Sequence, residues 1–296
     1  MSAHPAPPSE TAPIRGRSLW RESRDRFFGN RATMGSVIVL GLIALACLFG
    51  PLLTGHGLNE IYWDRIAMPP DPAAGFLLGT DGNGRDLLTR ILYGGRISLM
   101  VALVATTVSL AIGVTYGIIS GYAGGWLDAL MMRVLEILYA VPFIFLVILL
   151  MVAFGNSIVL IFVAVGAVEW LDLARIVRGQ TMSVRRKEFI EAAQALGVPT
   201  FTMLRRHILP NIIGPVVVFA TLTVPKVILL ESFLSFLGLG VQEPLTSWGV
   251  LISDGAKAMA SSPWILIFPS LFLTVTIFCM NFIGDGMRDA FDPRDR

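Results

Sequence analysis

The sequence predicts an all-α integral membrane protein with six transmembrane helices. Three observations carry that expectation: an apolar composition, six apolar stretches of spanning length, and basic residues gathered on one side of the implied membrane. Of the 296 residues, 54% are hydrophobic and 15% are charged, whereas soluble domains carry about 25% charge. So few charges cannot cover the surface of a soluble globule of this size. A soluble enzyme, a disordered chain and a nucleic-acid binder are poor fits, and no nucleic-acid partner is expected.

Residues 1–32 read as a cytoplasmic N-terminal tail, its first dozen positions disordered by composition. Gly16 to Asn30 suits a short basic helix on the membrane surface. It is not a secretory signal, because the following apolar run is long and no small-residue cleavage site closes it. Residues 33–296 then form the membrane domain, with spans at about 33–53, 97–121, 127–151, 157–176, 212–236 and 263–284. Each is near the ~20 residues that cross ~30 Å of hydrocarbon as a helix. A backbone in lipid must satisfy its own hydrogen bonds, so runs of this length read as helices. Gly113, Gly117, Pro142 and Pro225 lie inside spans, where membrane helices tolerate them. The small residues Ala111, Gly113 and Gly117 would let neighbouring helices approach closely.

Lys and Arg near the span ends set the orientation. The N-terminal tail, the segment between spans four and five and the C-terminal tail carry sixteen, against five on the opposite side, namely Arg65, Arg85, Arg90, Arg96 and Lys257. Both termini and the long basic loop therefore belong in the cytoplasm. The two cysteines, Cys47 and Cys279, sit singly in apolar runs and read as small buried hydrophobes rather than as a disulfide or zinc site.

The most informative segment is the basic loop at about 178–211. Glu188 to Leu196 is a good helix former with Glu in its first turns, and Gly197 supplies the left-handed residue that ends a helix. Pro199 and Thr200 start a second helix with apolar Phe201, Leu204 and Ile208 at helical spacing, which Pro210 is expected to stop before span five. Helix, glycine turn, helix makes a rigid knob, and the small Ala192 and Ala193 suit insertion into a partner's groove. The competing expectation is a membrane-surface helix held to anionic lipid through Arg185, Arg186 and Lys187.

Glu191-Ala192-Ala193, then Gly197, then Leu209-Pro210 resembles the EAA loop of ATP-binding-cassette (ABC) importer permeases. His207 stands where the broad family pattern often has Ile, with Ile208 one place later. That variant is similar to the peptide and nickel branch. The stretches FLLGTDGNGRDLLTRILYGGRISL (76–99), ESFLSFLGLGVQEPLTSWGVLISDG (231–255) and NFIGDGMRDAFDPRDR (281–296) resemble C-type subunits of the same branch. GRSLWRESRDRFFGNRA (16–32) resembles the oligopeptide version more than the dipeptide one. The resemblance covers most of residues 16–296. It implies the type I importer permease fold and half of a translocation channel in a bacterial inner membrane. The implied partners are a homologous second permease, two cytoplasmic ATP-binding subunits and an extracytoplasmic peptide-binding protein, with ATP used by the partners and no cofactor on this chain. It also implies coupling through Glu191, Ala192, Ala193, Gly197, Leu209 and Pro210. Glu191 would meet a basic group on the ATPase.

GTDGNGRD imitates the opening of a calcium loop at Asp81, Asn83 and Arg85, but Asp86 and Leu92 occupy the positions that need Gly and Glu. It reads instead as a tight turn capping an interfacial helix with Leu87, Leu88, Ile91 and Leu92 on its apolar face. Lys226 and Glu231 fall inside span five, where a charge costs ~2.5–3.5 kcal/mol at the membrane centre. They are candidates for the translocation path, with a partner carboxylate or a buried hydrogen bond as the alternative for Lys226. Arg133 with Glu136, and Asp172 with Arg175 beside Glu169, have helical pairing distance. No GxxxxGK[ST], HExxH or GxSxG occurs and the histidines are scattered, so neither an ATPase nor a membrane enzyme is indicated and no catalytic or metal-binding residue is expected. A gradient-driven carrier would explain Lys226 and Glu231 but not the basic loop. Dipeptide or nickel import is the nearest alternative substrate, and nickel is disfavoured because the spans contain no His.

Overall fold

A computed structural model describes residues 19–154 and 158–291. The expected disorder of the first dozen residues, Arg15 and Arg17, Arg294 and Arg296, and the junction at 155–157 lie outside the described residues. Among the described residues the regular structure is helical, and β pairing is limited to isolated bridges at Asp71–Phe76 and Thr80–Asp86.

Helix α1 (Leu19–Gly29) leads into α2 (Arg31–Phe49), whose first turn is capped by Asn30, its side chain accepting from Ala32 N at 3.0 Å and Thr33 N at 3.3 Å. Helix α3 (Leu87–Ala123) is capped by Asp86, which accepts from Thr89 N at 2.7 Å. The expectation of a separate interfacial helix before span two is corrected here. Leu87, Ile91 and Leu92 are the first turns of α3 itself, buried against Cys47, Trp248 and Leu251 rather than laid on lipid.

The expected third span is two helices, α4 (Gly125–Ala140) and α5 (Phe143–Phe154), separated at Val141 and Pro142. Val141 is extended, the backbone that a residue before proline prefers, so Pro142 ends the helix that was expected to run through it. Helix α6 (Ile158–Arg185) covers most of the stretch expected as the fourth span and continues into the basic segment, taking its first residues out of the loop. Helix α7 (Glu188–Ala195) follows.

Beyond α7, one turn α8 (Thr200–Thr202) passes through a π-helical stretch (Met203–Ile208) into α9 (Leu209–Phe236). Pro210 therefore does not stop a helix before span five. It sits in the first turn of α9, and the chain just before it widens so that Leu209 N bonds back to Leu204 O. Such widening relieves the clash a proline ring makes with the preceding turn. Pro225 lies inside α9 without ending it. A short helix, α10 (Trp248–Lys257), and α11 (Trp264–Phe291) complete the described chain.

By length and composition, Arg31–Leu52, Leu87–Ala123, Thr200–Phe236 and Trp264–Phe291 are long and apolar enough to cross a membrane. The most extensive helix contact joins α3 to α6. A Cβ at Gly113 would stand 2.9 Å from Trp170 O, and one at Gly121 2.6 Å from Arg178 O. Only residues without side chains let the two backbones approach this closely. Ala111 is exposed on another face and takes no part. Nearer the start of α3, Trp248 is fully buried and its Nε1 donates to Ile91 O at 3.0 Å, which seats α10 against α2 and α3. Cys47 and Cys279 are both free and buried.

Candidate coupling knob and intramembrane charge cluster

The knob is built from α7 and the turn behind it. Glu188 and Glu191 occupy the first turn of α7, where the helix dipole favours negative charge. Gly197 has φ +75°, its N–H donates to Gln194 O at 3.0 Å, and Val198 N donates to Ala193 O at 3.2 Å. This pair of bonds is the Schellman closure that glycine permits. Ile190, Met203, Ile208 and Ile212 are buried in one cluster with Leu173 and Val177 of α6, so the knob is packed onto the bases of α6 and α9. Its outer surface carries Leu196 at 85% and Phe201 at 71% exposure.

Within the expected coupling set, Glu191 and Ala192 are exposed while Ala193 is buried in the chain's own cluster. Ala193 therefore fits the knob to its own spans and offers no surface to a groove elsewhere. Leu209 is half-buried against the same cluster, and Pro210 is exposed. Ile208 rather than His207 takes the fully buried position, and His207 O accepts from Asn211 Nδ2 at 2.7 Å.

Above the knob, Asp128 on α4 receives both Arg178 Nε at 2.5 Å and Arg178 Nη2 at 2.6 Å from α6, and Ser120 of α3 donates to it as well. A bidentate guanidinium–carboxylate pair resists rotation, so the ends of α3, α4 and α6 are pinned together. Arg185 lies 5.5 Å over the Tyr122 ring. Arg185, Arg186, Glu191 and Gln194 line a cavity between α7 and the α3–α4 corner.

Lys226, midway along α9, meets carboxylates from α6. Its Nζ lies 3.0 Å from Glu169 Oε2 and 3.1 Å from Asp172 Oδ2, with hydrogen-bond alignment to Asp172. Tyr139 of α4 donates its hydroxyl to Asp172, and the Arg175 guanidinium lies 4.2 Å over the Tyr139 ring. Arg175 thus stacks on Tyr139 instead of pairing with Asp172. The side chains of Lys226 and Asp172 are 55% and 40% exposed, while that of Glu169 is 3%. Charged groups at this depth are not presented to lipid, so this open face belongs against a polar cavity or another subunit.

Glu231 lies elsewhere. It has 0% exposure and takes hydrogen bonds from Ser98 at 3.1 Å and Ser235 at 2.7 Å. It is an internal link between α3 and α9, with no surface on a path in this conformation. Arg133 and Glu136 form an exposed pair at 3.4 Å.

At the opposite end of α3, Asp81 replaces the failed calcium loop with an arginine-centred turn. Its Oδ1 accepts from Asn83 N at 2.8 Å and Arg85 N at 2.9 Å, and its Oδ2 from Arg85 Nε at 2.8 Å. Arg85 also reaches Glu243 at 2.9 Å, and the buried Arg90 lies 3.3 Å from Asp81 Oδ2. Burial works against the Arg85 charge, but Asp81 and Glu243 outweigh it and hold the guanidinium above its ordinary pKa. No group of three or more potential metal ligands occurs among the described residues.

The family described as "Binding-protein-dependent transport system inner membrane component" matches residues 113–296, a range that contains both the knob and the charge cluster. The chain belongs to this family. This permease also matches the "N-terminal TM domain of oligopeptide transport permease C" over residues 18–70. It is 58% identical to the oligopeptide transport system permease protein OppC of Escherichia coli (strain K12), over 97% of this chain and 95% of the relative. It is 53% identical to OppC of Haemophilus influenzae, over 97% and 92%. It is 41% identical to the dipeptide transport system permease protein DppC of Bacillus subtilis, over 95% and 86%. These relatives are transport permeases, and the chain is a multi-pass membrane transport component rather than an enzyme.

Several contacts within the permease's two sites carry no local signal. Tyr139 and Asp172 meet across 33 positions, and Asp128 and Arg178 across 50. Leu196 reads as the end of a helix former and Phe201 as one of an apolar set with Leu204 and Ile208, yet the turn at Gly197 leaves both Leu196 and Phe201 exposed.

Proposed function

We propose that this chain is one of two permease subunits of an ATP-driven bacterial oligopeptide importer, spanning the inner membrane six times with both termini cytoplasmic. On this reading residues 1–32 are a cytoplasmic tail and 33–296 the permease domain. The α4–α5 pair and α6 supply the third and fourth spans. A homologous permease supplies the other half of the channel, two ATP-binding subunits dock from the cytoplasm, and an extracytoplasmic protein delivers peptide. The chain itself binds no cofactor. Relatives named for oligopeptide transport at higher identity than the dipeptide relative favour the longer substrates.

The observation that carries the coupling role is the knob's two-sidedness. Ile190, Ala193, Met203 and Ile208 are packed into the chain, while Leu196 and Phe201 project from the same short unit, largely uncovered by the described residues. Two large apolar side chains held rigidly at a cytoplasmic tip suit a groove on a soluble subunit. Glu191, Ala192 and Gly197 supply a charge, a close contact and the turn. Because the knob shares its core with α6 and α9, a push on its tip is carried to the spans that bear Lys226. Arg185, Arg186 and Lys187 beside it also suit anionic lipid.

Glu191→Lys in the assembled complex tests the docking directly. Membrane insertion is retained and peptide-stimulated ATP hydrolysis is lost; full coupling in this variant would remove the docking role. Extraction in mild detergent supplies the second arm, because the ATP-binding subunits co-purify with the wild type. A carrier working without them would purify alone.

A further inference from the structure

The charge cluster between α4, α6 and α9 combines two carboxylates, Glu169 and Asp172, with one ammonium, Lys226. In their charged forms the three leave one negative charge in excess, which Arg175, stacked on the Tyr139 ring, balances one step further out. The two carboxylates are not equivalent. Glu169 is enclosed, and its Oε2 faces Lys226 Nζ at 3.0 Å without hydrogen-bond alignment. Asp172 is open on one side and takes its donors on separate oxygens, the Tyr139 hydroxyl on Oδ1 and Lys226 Nζ on Oδ2.

This arrangement permits an exchange. An incoming cation can take Oδ2 of Asp172 while Lys226, on its flexible stem, swings the short distance into alignment with Glu169. Tyr139 keeps its bond to Oδ1 throughout. Neither carboxylate is left bare before or after the exchange, so no uncompensated charge is stranded in a low-dielectric setting.

We propose that Asp172 is a way-station for the α-ammonium of a peptide moving through the channel, with Lys226 as the resident cation that the ammonium displaces. The proposal rests on the reading of the chain as a peptide permease whose Lys226 face borders the path. The ligand class follows from the chemistry of the site. A linear peptide with a free amino terminus carries this ammonium whatever its side chains, so one carboxylate with a displaceable counter-ion serves peptides of unrelated sequence. A peptide's carboxylate end finds Lys226 already paired with two carboxylates and is not held.

The test is made on the assembled complex with Lys226→Cys, using one cationic and one anionic methanethiosulfonate reagent. Rates are corrected by the reagents' ratio on a free thiol and by a complex lacking the new cysteine. The cationic reagent is expected to react about tenfold faster or more, and Asp172→Asn in the same background removes most of that preference. Trialanine slows the cationic reaction and N-acetyl-trialanine does not. Equal corrected rates, or equal protection by both peptides, overturn the ammonium site while leaving the path reading intact. A thiol that neither reagent reaches overturns the path reading itself. If Lys226→Cys does not assemble, Tyr139→Cys places the thiol on the other side of Asp172 with Lys226 retained; protection by trialanine and not by N-acetyl-trialanine is expected, and equal protection overturns the ammonium site.

Discussion

A β-carbon at Gly117 would stand 2.6 Å from the carbonyl oxygen of Ala174. The α3 and α6 backbones are that close because Gly113, Gly117 and Gly121 present no side chain to the contact. Gly117→Val is therefore expected to push the helices apart, at the ~1–3 kcal/mol typical of overpacking. A lower melting temperature of the purified complex checks this, and an unchanged value would contradict the close approach.

The knob depends on one backbone conformation. Gly197 has φ +75° with open space around its Cα, so a substitution there meets backbone strain rather than a clash. Gly197→Val costs ~1–2 kcal/mol locally and is expected to leave the protein in the membrane while abolishing peptide-stimulated ATP hydrolysis. Gly197→Asn, which tolerates the left-handed region, retains most of that activity. Equal loss in both variants would point to a side-chain requirement instead.

The two faces of the knob separate in a mutational series. Leu196→Asp and Phe201→Asp alter exposed positions and are expected to change stability by less than ~0.5 kcal/mol while cutting ATPase co-purification sharply. Ile190→Asp places a charge inside the cluster under α6 and α9 and lowers the yield of folded protein. Intact co-purification with both exposed variants would dismiss the tip as a docking surface.

At the other end of α3, Asp81 serves two arginines. Asp81→Ala leaves Arg90 buried without its carboxylate and Arg85 with Glu243 alone, and is expected to cost ~3–5 kcal/mol. Glu243 is largely exposed, so Glu243→Gln costs only ~0–1 kcal/mol. Thermal unfolding of the two variants side by side reads the difference, and equal melting temperatures would contradict the assignment of Asp81 as the centre of the turn.

Features set by near neighbours were legible from the sequence, and those set by distant ones were not. Helix α7 and its glycine turn follow from helix formers and one left-handed residue within ten positions. Pro142 was expected inside a helix and Pro210 at the end of one, and the structure reverses both, because the chain before Pro210 widens and that before Pro142 does not. The buried-charge rule marked Lys226 and Glu231 equally. Their different settings come from Asp172, 54 positions from Lys226, and Ser98, 133 positions from Glu231. Ala192 and Ala193 are adjacent in sequence, and only the packing of α7 onto Met203 and Ile208 decides which faces out.

The central claim is that this permease performs no energy conversion alone and moves peptide only when pushed from its cytoplasmic knob. Peptide uptake into proteoliposomes tests it most directly, comparing the chain alone with the chain plus second permease, ATP-binding subunits and peptide-binding protein. Uptake is expected only from the full set, and only when ATP is supplied on the side of the ATP-binding subunits. Uptake by the chain alone, with or without a gradient, would contradict it.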